Sequence, residues 1–154
     1  MRSRMICWVL LLASLAGVRG GLSAEADRPN LLFILTDDQR WNTLGCLPGS
    51  KVQTPNLDCL ARQGVLFRNQ FVTTSICCVS RASILTGQYE RRHRIGDFAT
   101  PFTPGQWAET YPALLRKAGY RTGFIGKFGV GNDAAIAAMS PEFDYWRGLP
   151  GQGG

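Results

Sequence analysis

The chain has 154 residues, with 17 lysine and arginine side chains against 11 aspartate and glutamate, a net charge of +6 with its single histidine neutral, and 45% hydrophobic residues. That hydrophobic share supports a packed core, which excludes a disordered polymer. The basic residues form no stripe and no aromatic platform interleaves with them, so nothing points to nucleic acid as a partner.

Arg2 and Arg4 precede an apolar run over residues 5–18, and Ala24-Glu25-Ala26 places small residues at both cleavage-recognition positions. This predicts a secretory signal peptide over residues 1–26 and export of the remainder, secreted or periplasmic. The run is shorter than the roughly 20 residues a membrane helix needs, so no stable span is expected. Removing Arg2, Arg4, Arg19 and Glu25 from the 17 basic and 11 acidic side chains leaves 14 and 10, a mild excess that suits an anionic substrate. Cys46, Cys59, Cys77 and Cys78 stay in the exported part, where three disulfide connectivities are open.

Residues 31–35 form a continuous apolar run, Leu-Leu-Phe-Ile-Leu, after Pro29. The run predicts a strand buried on both faces of a mostly parallel sheet, with Asp37 and Asp38 at its carboxyl end. Ligands in open α/β sheets sit at that end, and adjacent carboxylates repel unless a cation lies between them, so the pair is a candidate site for Ca²⁺ or Mg²⁺. A solvated Asp-Asp turn accounts for the pair equally well. Next, Thr54 as N-cap, Pro55 in the first turn, Leu57, Leu60 and Ala61 on one face and Gly64 as the stop predict a structural helix. Residues 65–72, rich in β-formers, predict a second strand leading to Cys77.

Cys77-Cys78-Val79-Ser80-Arg81 runs into Ala82-Ser83-Ile84-Leu85-Thr86-Gly87. A short helix over about residues 80–85 would direct unpaired backbone N–H groups and a positive dipole end towards residue 77, with the Arg81 donor fork one turn along, a setting that favours a tetrahedral oxyanion. A buried core cysteine before an ordinary helix is the alternative. His93, in Glu90-Arg91-Arg92-His93, has no metal-ligand spacing around it and is expected to have a structural or rim role. Thr110 is then expected to cap a helix carrying Tyr111, Leu114, Leu115 and Ala118 on one face and ending at Gly119, and residues 120–125 are expected to form the next strand. Lys127 follows between glycines at that strand's carboxyl end, where its charge would reach a sulfate or phosphate. The order of elements predicts an α/β fold, with a mostly parallel or mixed sheet flanked by helices. Residues 27–154 are expected to be one incomplete domain.

The Cys77 segment resembles the signature of the type I sulfatases, which reads Cys-x-Pro/Ala-x-Arg before a Leu-Thr-Gly ending. With Pro29-Asn30, Asp37-Asp38, Thr54-Pro55-Asn56-Leu57, and the stretch from Ala118-Gly119-Tyr120 to Gly126-Lys127, residues 28–154 look like the N-terminal part of a sulfatase catalytic domain of the alkaline phosphatase superfamily. The resemblance implies that Cys77 is oxidised to formylglycine (3-oxoalanine) by a formylglycine-generating or equivalent enzyme, and that Asp37, Asp38 and the converted Cys77 hold the divalent cation. It implies further that one hydroxyl of the aldehyde hydrate attacks sulfur, that Arg81 orients the hydrate and Lys127 binds the sulfate oxygens, and that the second hydroxyl expels sulfate. The substrate would be a sulfated small molecule or carbohydrate. Because two aspartates and one formylglycine do not complete a hard cation's shell, this stretch by itself is expected to be inactive.

Val79 stands where the family motif usually has proline or alanine, and Phe128-Gly129 where the family commonly continues Trp-His. Three other readings stay open at this point. One is a phosphodiesterase or phosphonate hydrolase of the same superfamily. Another is a non-catalytic exported protein that binds sulfate esters through an unconverted Cys77. The last is a disulfide-stapled module.

Overall fold

The structure, a computed structural model, describes residues 28–149. The expected signal peptide lies outside the described residues. Contacts divide the chain into residues 1–36 and residues 37–154. In the first unit, described residues 28–36 contain neither helix nor strand. The strand expected over residues 31–35 is therefore corrected, and its side chains are exposed, from 41% at Leu35 to 86% at Leu32. An apolar run becomes a strand only where a neighbour supplies the hydrogen-bonded ladder.

Among the described residues, the second unit holds the regular structure. Helix α1 spans Pro55–Gln63, and Pro55 opens it because a helix leaves its first N–H groups unbonded in any case. Thr54 is its N-cap residue but does not cap with its side chain. Its hydroxyl instead accepts from the Gly45 N–H at 2.7 Å and donates to Asp58 at 2.7 Å, fastening the preceding loop to the helix. Residues 65–72 form no strand, a second correction with the same cause; Val65, Phe67 and Phe71 are 74–82% exposed.

Helix α2 spans Cys77–Thr86, so it begins three residues earlier than expected and includes Cys77 itself. Gly87 ends it at φ +66°, a left-handed conformation that a Cβ would strain. Three short helices follow, α3 over Glu90–His93, α4 over Pro104–Ala108 and α5 over Tyr111–Lys117. Thr103 and Gln106 start α4 with a reciprocal capping box, whereas Thr110 at the start of α5 turns its hydroxyl back to the Trp107 carbonyl. Strand β1 spans Gly123–Lys127, α6 spans Asp133–Ala137, a single 3₁₀ turn covers Ser140–Glu142, and β2 spans Tyr145–Leu149.

The two strands pair in parallel, with Gly123 opposite Tyr145 and Lys127 opposite Leu149. A parallel pair needs a crossover, and α6 with the 3₁₀ turn provides it. This is the α/β arrangement expected, realised in a two-stranded parallel sheet.

The core packs α2 against this unit through Ala82, Leu85, Ile95, Trp107, Phe128, Val130, Ile136 and Phe143. Aromatic rings dominate it: Phe124 stacks on Trp146 at 5.0 Å and meets Phe128 edge-on at 5.5 Å, while Trp107 lies 5.6 Å from Phe143. Offset and edge-on contacts of this kind suit the ring quadrupoles. The Trp107 indole N–H donates to Glu142 at 2.6 Å, so its polar atom is satisfied where the ring is buried. The core thereby ties the middle and end of α2 to the segment that follows β1. Among the described residues, no helix is long and apolar enough to cross a membrane.

Candidate active site

All five sequence-predicted site residues fall in the second unit, and the fold brings them together. Cys77 is the first residue of α2, half-buried, at an N-terminus with no side-chain cap, and the first-turn N–H groups of that helix have no partner within it. Arg81 follows by four residues on the same face and is 9% exposed. Its Nη1 donates to the carbonyl of Lys127 at 2.5 Å, which ties the helix to the end of β1 across 46 positions of sequence. Lys127 is the last residue of β1.

Asp37 joins the two cations. Its carboxylate accepts from Lys127 Nζ at 2.6 Å and lies 3.8 Å from Arg81 Nη2. The hydrogen bond from Lys127, followed by the charges of Lys127 and Arg81 and a hydrogen bond from the Cys77 thiol, holds the Asp37 carboxyl below the usual carboxylate range. Lys127 is pushed above its ordinary value by the same bond. Asp38 takes φ +54°, an uncommon left-handed conformation for a residue with a Cβ, and Asp is among the residues that tolerate it.

Asp37, Asp38 and Cys77 each offer a ligand atom, all within 4.8 Å of one another. The two carboxylates suit a hard cation such as Ca²⁺ or Mg²⁺, whereas a thiol sulfur suits softer metals. An oxygen at position 77 would make the donor set uniform, so the residues fit a hard divalent cation best if Cys77 is oxidised.

Residues 29–152 match the family model described as Sulfatase. The chain belongs to the sulfatase family. Over 139 residues it is 36% identical to an N-acetylglucosamine-6-O-sulfatase of Bacteroides thetaiotaomicron, covering 90% of this chain and 24% of that protein. It is 34% identical to the human N-acetylgalactosamine-6-sulfatase, covering 84% and 27%, and 34% identical to arylsulfatase H of Canis lupus familiaris, covering 80% and 25%. The chain thus spans about a quarter of the length of these curated relatives.

His93 has the structural setting expected of it. It is 1% exposed, its Nδ1 accepts from the Ile95 N–H at 3.1 Å, and its Nε2 lies 3.0 Å from Ser83 Oγ on α2. A backbone N–H only donates, so Nδ1 carries no proton and the ring is neutral with its hydrogen on Nε2, directed at Ser83. Burial pushes its pKa below 6.5, with Glu90 partly opposing. A histidine held neutral in the fold contributes stability in full above about pH 6.5, and that contribution is lost as pH falls through its lowered folded value. The expected result is a melting temperature that drops between about pH 7.5 and 5.5, and a His93→Gln variant that melts lower at pH 7.5 with a flatter dependence on pH. Thermal melts across that range check it.

The cysteines are resolved more simply: all four described are free thiols, and burial pushes the Cys78 thiol up. A disulfide-stapled module has no support in the described residues. Two features of the site escaped the sequence reading, the left-handed Asp38 and the approach of Gly129 to Arg81. The spacing of Gly126, Gly129 and Gly131 was the only signal of the latter.

Proposed function

We propose that the protein carrying this chain is an exported sulfuric ester hydrolase acting on a sulfated small molecule or sulfated carbohydrate, with Cys77 converted to formylglycine by a modifying enzyme. One observation carries the reading: an oxidisable side chain opens a helix within reach of two carboxylates, with Arg81 and Lys127 fixed by hydrogen bonds beside it. The relatives named for N-acetylglucosamine and N-acetylgalactosamine sulfate esters support the carbohydrate class.

In this reading Asp37 and Asp38 hold a divalent cation together with an oxygen of the converted Cys77. When bound, the cation supplies Lewis acidity that favours an ionised oxygen nucleophile at neutral pH. The aldehyde from Cys77, once hydrated, presents one hydroxyl to sulfur and retains a second for release of sulfate. Arg81 holds its planar fork in a fixed direction because the Lys127 carbonyl and the helix backbone constrain it, so it orients the hydrate without reorganising. Lys127 places a compact charge where the non-bridging sulfate oxygens gather negative charge.

The test has two parts, applied to the full-length exported protein. Peptide mass spectrometry across residue 77 is expected to find an aldehyde in place of the thiol, and matched aryl sulfate and phosphate esters are expected to favour the sulfate. An intact thiol in an active protein sinks the formylglycine reading, and a preference for phosphate moves the activity to a phosphodiesterase or phosphonate hydrolase.

A further inference from the structure

We propose that Arg91, Arg92 and Arg94 form a second anion-binding surface, which takes further sulfate or carboxylate groups of a sulfated carbohydrate chain; the inference rests on the sulfatase reading above. The three stand within four residues, on α3 and its C-cap, and all are exposed. Among the described residues, none of the three side chains has a hydrogen-bond or ion-pair partner. The acids nearest in sequence are engaged elsewhere. Glu90 Oε2 accepts from Thr74 Oγ1 at 3.1 Å, and Asp97 Oδ1 accepts from the N–H groups of Ala99 and Thr100 at 2.8 and 2.7 Å. Three guanidinium forks are thus left open to an outside anion, and their planar donors match the oxygens of sulfate and carboxylate.

Arg94 carries a second observation. It caps α3 at φ +60°, a left-handed position that glycine usually fills. Six of the eight left-handed positions among the described residues are glycine, and the other two are Asp38, in the candidate metal site, and Arg94. An arginine standing where glycine costs less strain points to a use for its side chain. The cluster is also tied to the elements around Cys77. Glu90 bonds Thr74, three residues before Cys77, and His93 of α3 lies 3.0 Å from Ser83, six residues or about 9 Å along α2 from Cys77. Gln106 donates to the His93 carbonyl at 2.6 Å and steadies the far end of α3. A chain bearing anions on successive sugars would meet both sites, whereas a single aryl sulfate would fill only the first.

The probe is a heparin-derived hexasaccharide, bound to the full-length protein and followed by calorimetry, with 4-nitrophenyl sulfate as a substrate bearing one anion. Arg91→Ala/Arg92→Ala is expected to weaken hexasaccharide binding on the order of tenfold and to leave kcat/KM on 4-nitrophenyl sulfate within about twofold of wild type. Arg62→Ala/Arg68→Ala removes the same charge from other exposed positions and is expected to weaken binding by less than about threefold. Arg94→Gly is expected to weaken binding about threefold while Tm stays at or above that of wild type, a pairing that a purely structural arginine would not give. Equal losses in the two double variants overturn the proposal, since bulk charge then explains them. A wild type that does not bind the hexasaccharide, or binding untouched by the α3 substitutions, overturns it as well, and so does displacement of the hexasaccharide by a lower concentration of duplex DNA. Failure of the sulfatase reading shows itself differently, as a wild-type protein with an intact Cys77 thiol and no turnover of 4-nitrophenyl sulfate.

Discussion

Cys77→Ala is expected to abolish turnover of sulfate esters, by on the order of 10⁴-fold or more, while leaving the fold intact. Removing the nucleophile of an enzyme costs this much because the remaining groups bind and orient but form no bond to substrate. The fold should tolerate the change. Cys77 is half-buried at the first position of α2, and the residues of that helix that enter the core are its neighbours Cys78, Val79, Ala82 and Leu85. Alanine is also the best helix former. Cys77→Ser separates the two jobs assigned to the hydrated aldehyde, since serine offers one hydroxyl and has no second with which to release sulfate. It is expected to yield at most a single turnover, with no steady state. Circular dichroism checks the fold, and burst kinetics with an aryl sulfate checks the chemistry. A Cys77→Ala protein that retains steady-state turnover removes residue 77 from the reaction.

The parts of this chain that could be read from sequence are those whose hydrogen bonds close locally. Helix α1 was expected between Thr54 and Gly64 and spans Pro55–Gln63, and α5 was expected between Thr110 and Gly119 and spans Tyr111–Lys117. Apolar spacing and a closing glycine sufficed in both, with proline in the first turn added for α1, since a helix satisfies its own backbone. The threonines were read correctly as boundaries but not as caps, because their hydroxyls bond other local groups, the Asp58 carboxylate and the Trp107 carbonyl, in place of the first-turn N–H groups. Strands behaved differently. Residues 31–35 and 65–72 have the composition of strands without forming them, and β2 went unforeseen, because pairing depends on residues far away in sequence. The site was legible as three separate motifs around Asp37, Cys77 and Lys127, of which the latter two stand at the first residue of α2 and the last residue of β1. Their convergence depends on distances spanning 46 and 90 positions, which no local pattern contains.

Asp37→Asn is expected to lower sulfate-ester turnover on the order of 10²-fold or more and to raise the divalent cation concentration needed for half-maximal activity about tenfold or more. In the proposed reading the carboxylate has two roles that a neutral amide cannot combine. One is to supply negative charge to a cation shared with Asp38 and residue 77, whose ligand atoms lie within 4.8 Å. The other is to hold two cations of the protein in register, Lys127 at 2.6 Å and Arg81 at 3.8 Å. With the charge removed, those cations repel each other and the incoming metal ion, in a space partly shielded from solvent, where Lys127 and Arg81 side chains are only 14% and 10% exposed. Asparagine keeps the shape and one acceptor oxygen, so the change isolates charge from packing. Adding excess Ca²⁺ or Mg²⁺ after chelation separates the two roles, because saturating cation is expected to recover the metal-binding part of the loss and leave the misplacement of Lys127 uncorrected. Partial rescue is therefore the expected outcome, read as activity against cation concentration for wild type and variant side by side. An Asp37→Asn protein with wild-type turnover and an unchanged cation requirement would remove Asp37 from the metal site and leave it as a counter-ion for Lys127 alone.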